Sequence, residues 1–119
     1  MRDFTKLKVW EKAHGFTLDV YKITKSFPKE ELYGVTSQMR RAAASIPMNL
    51  AEGSGREGVN DRARFFEIAF SSACEVEYQL ILSRDLGYIT IKTYTAIVEK
   101  VTEIKRMLAS LIRTLKAEV

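Results

Sequence analysis

Apolar residues recur at the spacing of an α-helix along most of this chain, and no segment alternates apolar and polar residues as a strand does. The sequence predicts four helices at about residues 6–25, 35–52, 61–86 and 91–116. The connections between them are short, which predicts an all-α fold, an antiparallel up-down-up-down four-helix bundle. We expect residues 1–119 to form this bundle as a single domain.

Three residues have the chemistry of helix ends. Asn60 is expected to cap the start of the third helix, since its side chain can accept a hydrogen bond from a free backbone N–H group. Gly87 is expected to end that helix, and Thr90 to cap the start of the fourth.

The composition limits the classes of protein to consider. Hydrophobic residues make up 46% of the 119 residues and charged residues 29%, which is ordinary for a folded domain. The net charge of +4 is mildly basic and is compatible with a polyanionic partner. Cys74 is the only cysteine and the first residues are interrupted by charges, so we expect a cytoplasmic protein without an intramolecular disulfide. No uncharged run approaches the roughly 20 residues that span a bilayer, so no membrane partner is expected.

The second and third helices are more apolar than a helix of a monomeric bundle needs to be. Their apolar arcs cover about half of the circumference or more, whereas one core-facing stripe normally suffices. The alternative explanation of these wide apolar arcs is that the alanines lie on an exposed face and are present only because alanine favours helix formation. Phe66 and Phe70 are too large for that explanation, which favours burial between subunits of a homo-oligomer.

Residues 42–51, AAASIPMNLA, form an uncharged segment with a proline at its centre. Pro47 lacks an N–H group, so it is expected to kink the second helix and to leave the carbonyl of Ala43 without its helical partner. A nearby hydroxyl group or a water molecule would have to bind that carbonyl.

A polar stripe runs along the second helix, and a similar set lies on the third. The members on the second helix are Gln38, Arg41, Ser45, Asn49 and Glu52, and those on the third are Ser72, Glu75 and Gln79. We expect these side chains to be buried and to satisfy one another, because an unpaired buried polar group costs about 2–7 kcal/mol. Arg40 or Arg41 would pair with Glu52 or Glu75, and Asn49 and Gln38 would bridge helices.

An enzymatic interpretation would use Glu52 and Glu75 as acid and base. The residues that usually accompany such a pair, or a metal, are missing from the sequence. His14 is the only histidine and lies on another helix, and the Glu-x-x-His pairs of a di-iron bundle are missing. We therefore expect no enzyme, no metal, no cofactor and no small-molecule substrate.

Three stretches of the chain closely resemble a known family. They are FTKLKVWEKA, YKITKSFPKEELYGVTSQMRRAAASIPMNLAEGSGR and FFEIAFSSACEVEYQL, and the most specific part is QMRRAAASIPMNLAEG. They resemble the four-helix bundle proteins encoded by intervening sequences in bacterial 23S rRNA genes. The resemblance implies a homopentamer, and kinship with the accessory protein of diversity-generating retroelements, a basic pentamer that binds nucleic acid and a reverse transcriptase.

The polar stripe and the large apolar residues are thus predicted to be structural or to serve assembly. This set comprises Gln38, Arg41, Ser45, Pro47, Asn49, Glu52, Phe66, Phe70 and Glu75. The leading functional hypothesis is an oligomer that binds RNA or DNA non-specifically through exposed cations. The candidate cations are Lys8, Lys12, Lys22, Lys105, Arg106, Arg113 and Lys116. The alternative is a scaffold that binds another protein and no nucleic acid.

Overall fold

The chain folds into four α-helices and, over residues 2–118 that the computed structural model describes, contains no β-strand. The helices are α1 (Lys8–Thr24), α2 (Ser37–Ser54), α3 (Val59–Asp85) and α4 (Ile91–Lys116). The prediction of an all-α fold with four helices is confirmed.

Each helix packs against two others. α2 contacts α1 and α3, and α4 also contacts α1 and α3. The molecule is elongated, with extents of 46 × 24 × 20 Å, and the buried side chains of all four helices form one core. α2 and α3 therefore bury two sides each within a single chain.

α2 and α3 lie very close together at Gly53. A Cβ atom at this position would lie 2.8 Å from Cε1 of Phe66 and 3.0 Å from Cβ of Phe65. Phe66 is buried against this glycine. Only a residue without a side chain allows the two helices to approach this closely at the end of α2.

Two of the three predicted helix ends are confirmed. The hydroxyl of Thr90 accepts a hydrogen bond of 3.1 Å from the N–H group of Thr93 at the start of α4. Gly87 has a positive φ of 78° after the end of α3, and the N–H group of Tyr88 donates to the carbonyl of Ser83 at 2.8 Å. This is the hydrogen-bond pattern of a Schellman helix end, which favours glycine.

The predicted cap at Asn60 is wrong, because α3 begins one residue before it, at Val59. The side chain of Arg62 is almost completely buried (4% exposed) and donates to the carbonyls of Arg56 and Glu57, at 3.2 Å each. These bonds hold the connection against the first turn of α3, so the helix starts directly after that connection without a side-chain cap.

The connection between α1 and α2 is fixed by Glu31. Its carboxylate accepts a hydrogen bond from the Tyr88 hydroxyl at 2.7 Å and from the N–H group of Val35 at 3.3 Å. A Cβ atom on Gly34 would lie 2.6 Å from a carboxylate oxygen of Glu31, so glycine leaves the space for this contact. The sequence pattern predicts that the second helix begins at about Val35. Instead a kinked turn over Leu32–Thr36, with non-helical backbone angles at Gly34, precedes α2, which begins two residues later.

The carbonyl that Pro47 leaves without a helical donor has a hydroxyl group within hydrogen-bond distance. Pro47 is buried within α2, and the hydroxyl of Thr17 on α1 lies 3.1 Å from the carbonyl of Ala43, the atom that lacks its helical donor. The same hydroxyl lies 2.8 Å from the carbonyl of Ala13 in its own helix, so it shares its proton between the two. The prediction that a nearby hydroxyl group binds the freed carbonyl is confirmed, and the bond links α1 to α2.

Candidate functional site

The N-terminal half of the polar stripe on α2 lines a groove of about 350 Å³ between α2 and α3. Its lining residues are Gln38, Arg41, Ala42, Ser45, Ser72 and Glu75, and we call it the Ser45 groove. The hydroxyl of Ser72 donates to that of Ser45 at 2.8 Å, which joins the two helices. Gln38, Arg41 and Glu75 are exposed, so this part of the stripe faces outward rather than into the core.

The predicted bridges by Asn49 and Gln38 are not formed. The side-chain amide of Asn49 donates to the carbonyl and the hydroxyl of Ser45, at 2.8 and 2.9 Å, within α2 itself. Ser45 lies one turn before Asn49, so the amide reaches its own helix before it reaches α3. Gln38 makes no side-chain hydrogen bond to another helix within residues 2–118.

The predicted burial of Glu52 is wrong. Its side chain is 54% exposed and pairs with Arg56 at 2.8 Å, one turn further along the same surface. Over the described part of the chain, Arg40 and Arg41 form no ion pair with Glu52 or Glu75. Arg40 instead donates to the hydroxyl of Thr24 on α1 at 2.8 Å, because its long side chain extends across α1.

Glu75 is connected to a buried amide. Gln79 is 5% exposed, and its nitrogen donates weakly to the carboxylate of Glu75 at 3.4 Å. Its side-chain oxygen has no hydrogen-bond partner among the residues that the structure describes. The Ser45 groove therefore contains an arginine and a carboxylate that do not pair with each other within one chain.

The C-terminal half of the stripe on α2 lines a second groove, of about 780 Å³. We call it the Met48 groove, and its lining residues are Met48, Asn49, Ala51, Glu52, Gly55, Arg56 and Phe65. Met48 is 66% exposed, and the guanidinium groups of Arg56 and Arg64 lie 4.8 and 4.5 Å from the ring centre of Phe65. Glu52 and Glu75 line different grooves, so the structure does not assemble the carboxylate pair that an acid–base mechanism would use.

The size argument for a subunit contact at Phe66 is wrong, because this side chain is buried within the chain between α3 and the end of α2. Phe70 is half-buried and lies beside Lys105, whose Nζ atom is 5.8 Å from its ring centre. A helix that packs against two neighbours needs an apolar arc on both sides, which accounts for much of the excess on α3.

Three of the seven candidate cations are engaged in ion pairs. Lys12 pairs with Glu103 at 3.3 Å, and Lys116 pairs with Glu67 at 2.8 Å. Lys105 pairs with Glu77 at 2.7 Å, and this hydrogen bond raises the pKa of Lys105.

The other four candidate cations, Lys8, Lys22, Arg106 and Arg113, are exposed and form no ion pair within residues 2–118. They are the candidates most available to a polyanion. Lys8 and Arg106 line one groove between α1 and α4, and Arg113 lines another between α3 and α4.

The remaining sequence candidates give no further site. His14 is exposed and its ring stacks on that of Trp10, with centres 5.2 Å apart. Residues 2–118 contain no cluster of three or more His, Cys, Asp or Glu side chains arranged to hold a metal ion. None of the four helices is long and apolar enough to cross a membrane.

The sequence analysis did not predict two features of the structure. Tyr33 lies in the kinked turn before α2 and is 92% exposed, more than any other large apolar side chain of residues 2–118. Glu31 holds that turn through Tyr88, which is 57 residues away in sequence. A local sequence pattern cannot predict a contact between residues this far apart. The exposure of Tyr33 had one signal in the sequence, since it precedes Gly34 and glycine is common in turns.

Comparison with known proteins places this fold in a family. No curated protein matches the chain. A solved structure that matches is the 1.70 Å crystal structure of a protein of unknown function from the S23 ribosomal protein family of Bacteroides thetaiotaomicron VPI-5482. It is 29% identical, with a TM-score of 0.82, and the match covers 88% of this chain and 95% of that one. The sequence profile described as "23S rRNA-intervening sequence protein" matches residues 5–110. The chain belongs to the 23S rRNA-intervening sequence protein family.

Proposed function

We propose that this protein is a homo-oligomer of antiparallel four-helix bundles that binds nucleic acid non-specifically through exposed basic side chains. The observation that carries the binding proposal is a set of four exposed cations on a chain of net charge +4, which form no ion pair within residues 2–118: Lys8, Lys22, Arg106 and Arg113. The proposed role is binding, without catalysis or a cofactor.

The antiparallel order is supported by the lengths of the connections. Residues 55–58 join α2 to α3, and residues 86–90 join α3 to α4. Chain segments this short span at most about 14–18 Å. α3 has 27 residues and is therefore about 40 Å long. Neither connection is long enough to return along α3, which supports opposite directions for adjacent helices.

The assembly proposal is supported by the outer surface of α2. Between Arg41 and Glu52 this surface carries no charged residue, and it exposes Met48 and the half-buried Ala44 and Ala51. Tyr33 precedes α2 and exposes a large ring to water. The resemblance to pentameric proteins favours five copies, and five copies of a +4 chain would carry +20. Multivalent contacts turn weak individual contacts into useful affinity.

Binding is expected to depend on phosphate charge rather than on base sequence. The exposed lysine and arginine side chains are suited to phosphate oxygens, whereas reading of base edges requires an element placed in a groove. Neutralised phosphates release counterions, so the affinity should fall steeply as the salt concentration rises.

A gel-shift titration with structured RNA and with duplex DNA, repeated across a salt series, tests this proposal. Arg106→Glu combined with Arg113→Glu should weaken binding of both nucleic acids and flatten the salt dependence. Asp19→Lys is the control. Asp19 forms an exposed ion pair with Lys100 at 2.6 Å, and its reversal adds positive charge, so it should not weaken binding. Tight binding that is insensitive to salt would contradict the electrostatic mechanism.

A scaffold that binds another protein and no nucleic acid is the second candidate. The ion pairs of Lys12, Lys105 and Lys116 favour it, since mixed charge is typical of an ordinary solvated surface. If the intact oligomer binds no nucleic acid at low salt, this candidate replaces the first.

A further inference from the structure

A groove of about 490 Å³ lies at the seam between the start of α1 and the last third of α4. α1 has 17 residues and α4 has 26. The ion pair between Lys12 and Glu103 places these two residues side by side, so the last turns of α4 extend beyond the first turn of α1. We call this the Lys8 groove, and its lining residues are Leu7, Lys8, Val9, Arg106, Met107, Ser110, Leu111 and Thr114.

The floor of the Lys8 groove is apolar. Leu7, Met107 and Leu111 pack against the core on one side and are only partly buried. The remainder of their surface borders the groove. A ligand that covers this floor with apolar side chains gains about 25 cal/mol for each Å² of apolar surface removed from water.

The two charged residues that line this groove, Lys8 and Arg106, are both positive. Lys8 and Arg106 are exposed at the groove and, within residues 2–118, neither forms an ion pair. No carboxylate of the described chain lines the groove.

We propose that the Lys8 groove binds an amphipathic helix of a partner protein, with apolar residues facing the floor and acidic residues facing Lys8 and Arg106. The groove follows α4 from Arg106 to Thr114, about 12 Å or two helical turns. Apolar anchors at positions i, i+3 or i+4, and i+7 of a helix match a groove of this length.

The apolar floor favours a protein helix over nucleic acid as the ligand that fills this groove, so Lys8 and Arg106 would bind phosphates only while the groove is free. Single-stranded bases bind by stacking on aromatic rings, and none of the residues that line the groove is aromatic. A duplex presents phosphates rather than apolar groups, and would leave the floor uncovered. This inference goes beyond the proposed function and does not depend on it.

Fluorescence anisotropy with a labelled synthetic peptide tests the inference on the intact protein. The peptide is an amphipathic helix of about 15 residues with leucines on one face and glutamates flanking them. The matched control peptide carries lysines in place of the glutamates. We expect saturable binding of the acidic peptide and none of the basic one. No saturable binding of the acidic peptide overturns the proposal.

Variants locate the peptide on the protein. Lys8→Glu with Arg106→Glu should weaken binding about tenfold or more, since two attractive pairs become repulsive. Ser110→Trp fills the groove from an exposed position without a change of charge, and should weaken binding by at least as much. Lys22→Glu with Lys92→Glu changes the net charge by the same amount at exposed positions that do not line the groove, and should retain the affinity.

Four results would overturn the proposal. The first is peptide binding that survives both groove variants, and the second is an equal loss in the Lys22 and Lys92 control. The third is a Ser110→Trp variant that loses binding of duplex DNA but keeps the peptide. The fourth is dissociation of the oligomer by Ser110→Trp, which would show that a second copy covers the groove.

Arg113→Glu changes a residue outside the groove and should therefore weaken the binding of nucleic acid but not that of the peptide. A failure of the nucleic-acid proposal can thus be distinguished from a failure of the peptide proposal.

Discussion

The close approach at Gly53 predicts that adding one methyl group there destabilises the fold. Gly53→Ala would place Cβ 2.8 Å from Cε1 and 3.0 Å from Cδ1 of the Phe66 ring. The third close atom is Cβ of Phe65, also at 3.0 Å, which cannot move without its backbone. Phe66 is buried, so its ring has no open space to enter.

Two opposing effects set the magnitude. Alanine is favoured over glycine inside a helix by about 1 kcal/mol. Overpacking a closely packed core costs about 1–3 kcal/mol. Because neither close neighbour is the flexible end of a side chain, we place the cost in the upper half of this range. Gly53→Ala should therefore lower the free energy of unfolding by about 1–2 kcal/mol.

Gly15→Ala is the matched control, since Gly15 lies within α1 and a Cβ atom there would have no neighbour within 4 Å. It should raise the free energy of unfolding by about 0.5–1 kcal/mol. Urea unfolding followed by circular dichroism, at one fixed protomer concentration, measures both variants. If Gly53→Ala stabilises the protein as much as Gly15→Ala does, the account of the α2–α3 contact is wrong.

Three further predictions concern hydrogen bonds and charge. Thr17→Val should lower the free energy of unfolding by about 1–3 kcal/mol, because the carbonyl of Ala43 loses its donor, and urea unfolding measures this loss. The hydrogen bond to Glu31, with burial second, raises the pKa of Tyr88 above its ordinary value of 10.0. Because the pKa of Tyr88 is higher in the folded than in the unfolded state, the stabilisation by this hydrogen bond is complete below pH 10 and is lost as the pH rises through the folded-state pKa. Glu31→Gln should therefore shift the absorbance titration of the tyrosines to lower pH. Glu52→Ala should cost at most about 0.5 kcal/mol in the isolated chain, and a loss that depends on protomer concentration, seen by light scattering, would instead assign Glu52 to a subunit contact.

The number and type of the helices could be predicted because they depend on local pattern. Three local signals act within a few residues along the chain. They are the spacing of the apolar residues, the capping hydroxyl of Thr90 and the ability of Gly87 to adopt a positive φ. Asn60 was misassigned because the start of α3 is set by the buried Arg62, which binds the preceding connection rather than a neighbouring N–H group.

The surroundings of the polar stripe could not be predicted in the same way. A spacing of three and four residues shows that side chains share one side of a helix, but not which helix covers that side. Ser45 meets α3 through Ser72, whereas Glu52, two turns later, extends into water towards Arg56. Phe66 was assigned to a subunit contact because the sequence does not reveal that α3 packs against both α2 and α4.

Native mass spectrometry of the untagged protein, isolated from its own host at low salt, tests the central claim most directly, because one spectrum reports the number of subunits and any retained nucleic acid. We predict an assembly of several copies, five by the family resemblance, with RNA or DNA that dissociates as the salt concentration is raised. A monomer without nucleic acid at micromolar concentration would contradict both the assembly and the binding that we propose.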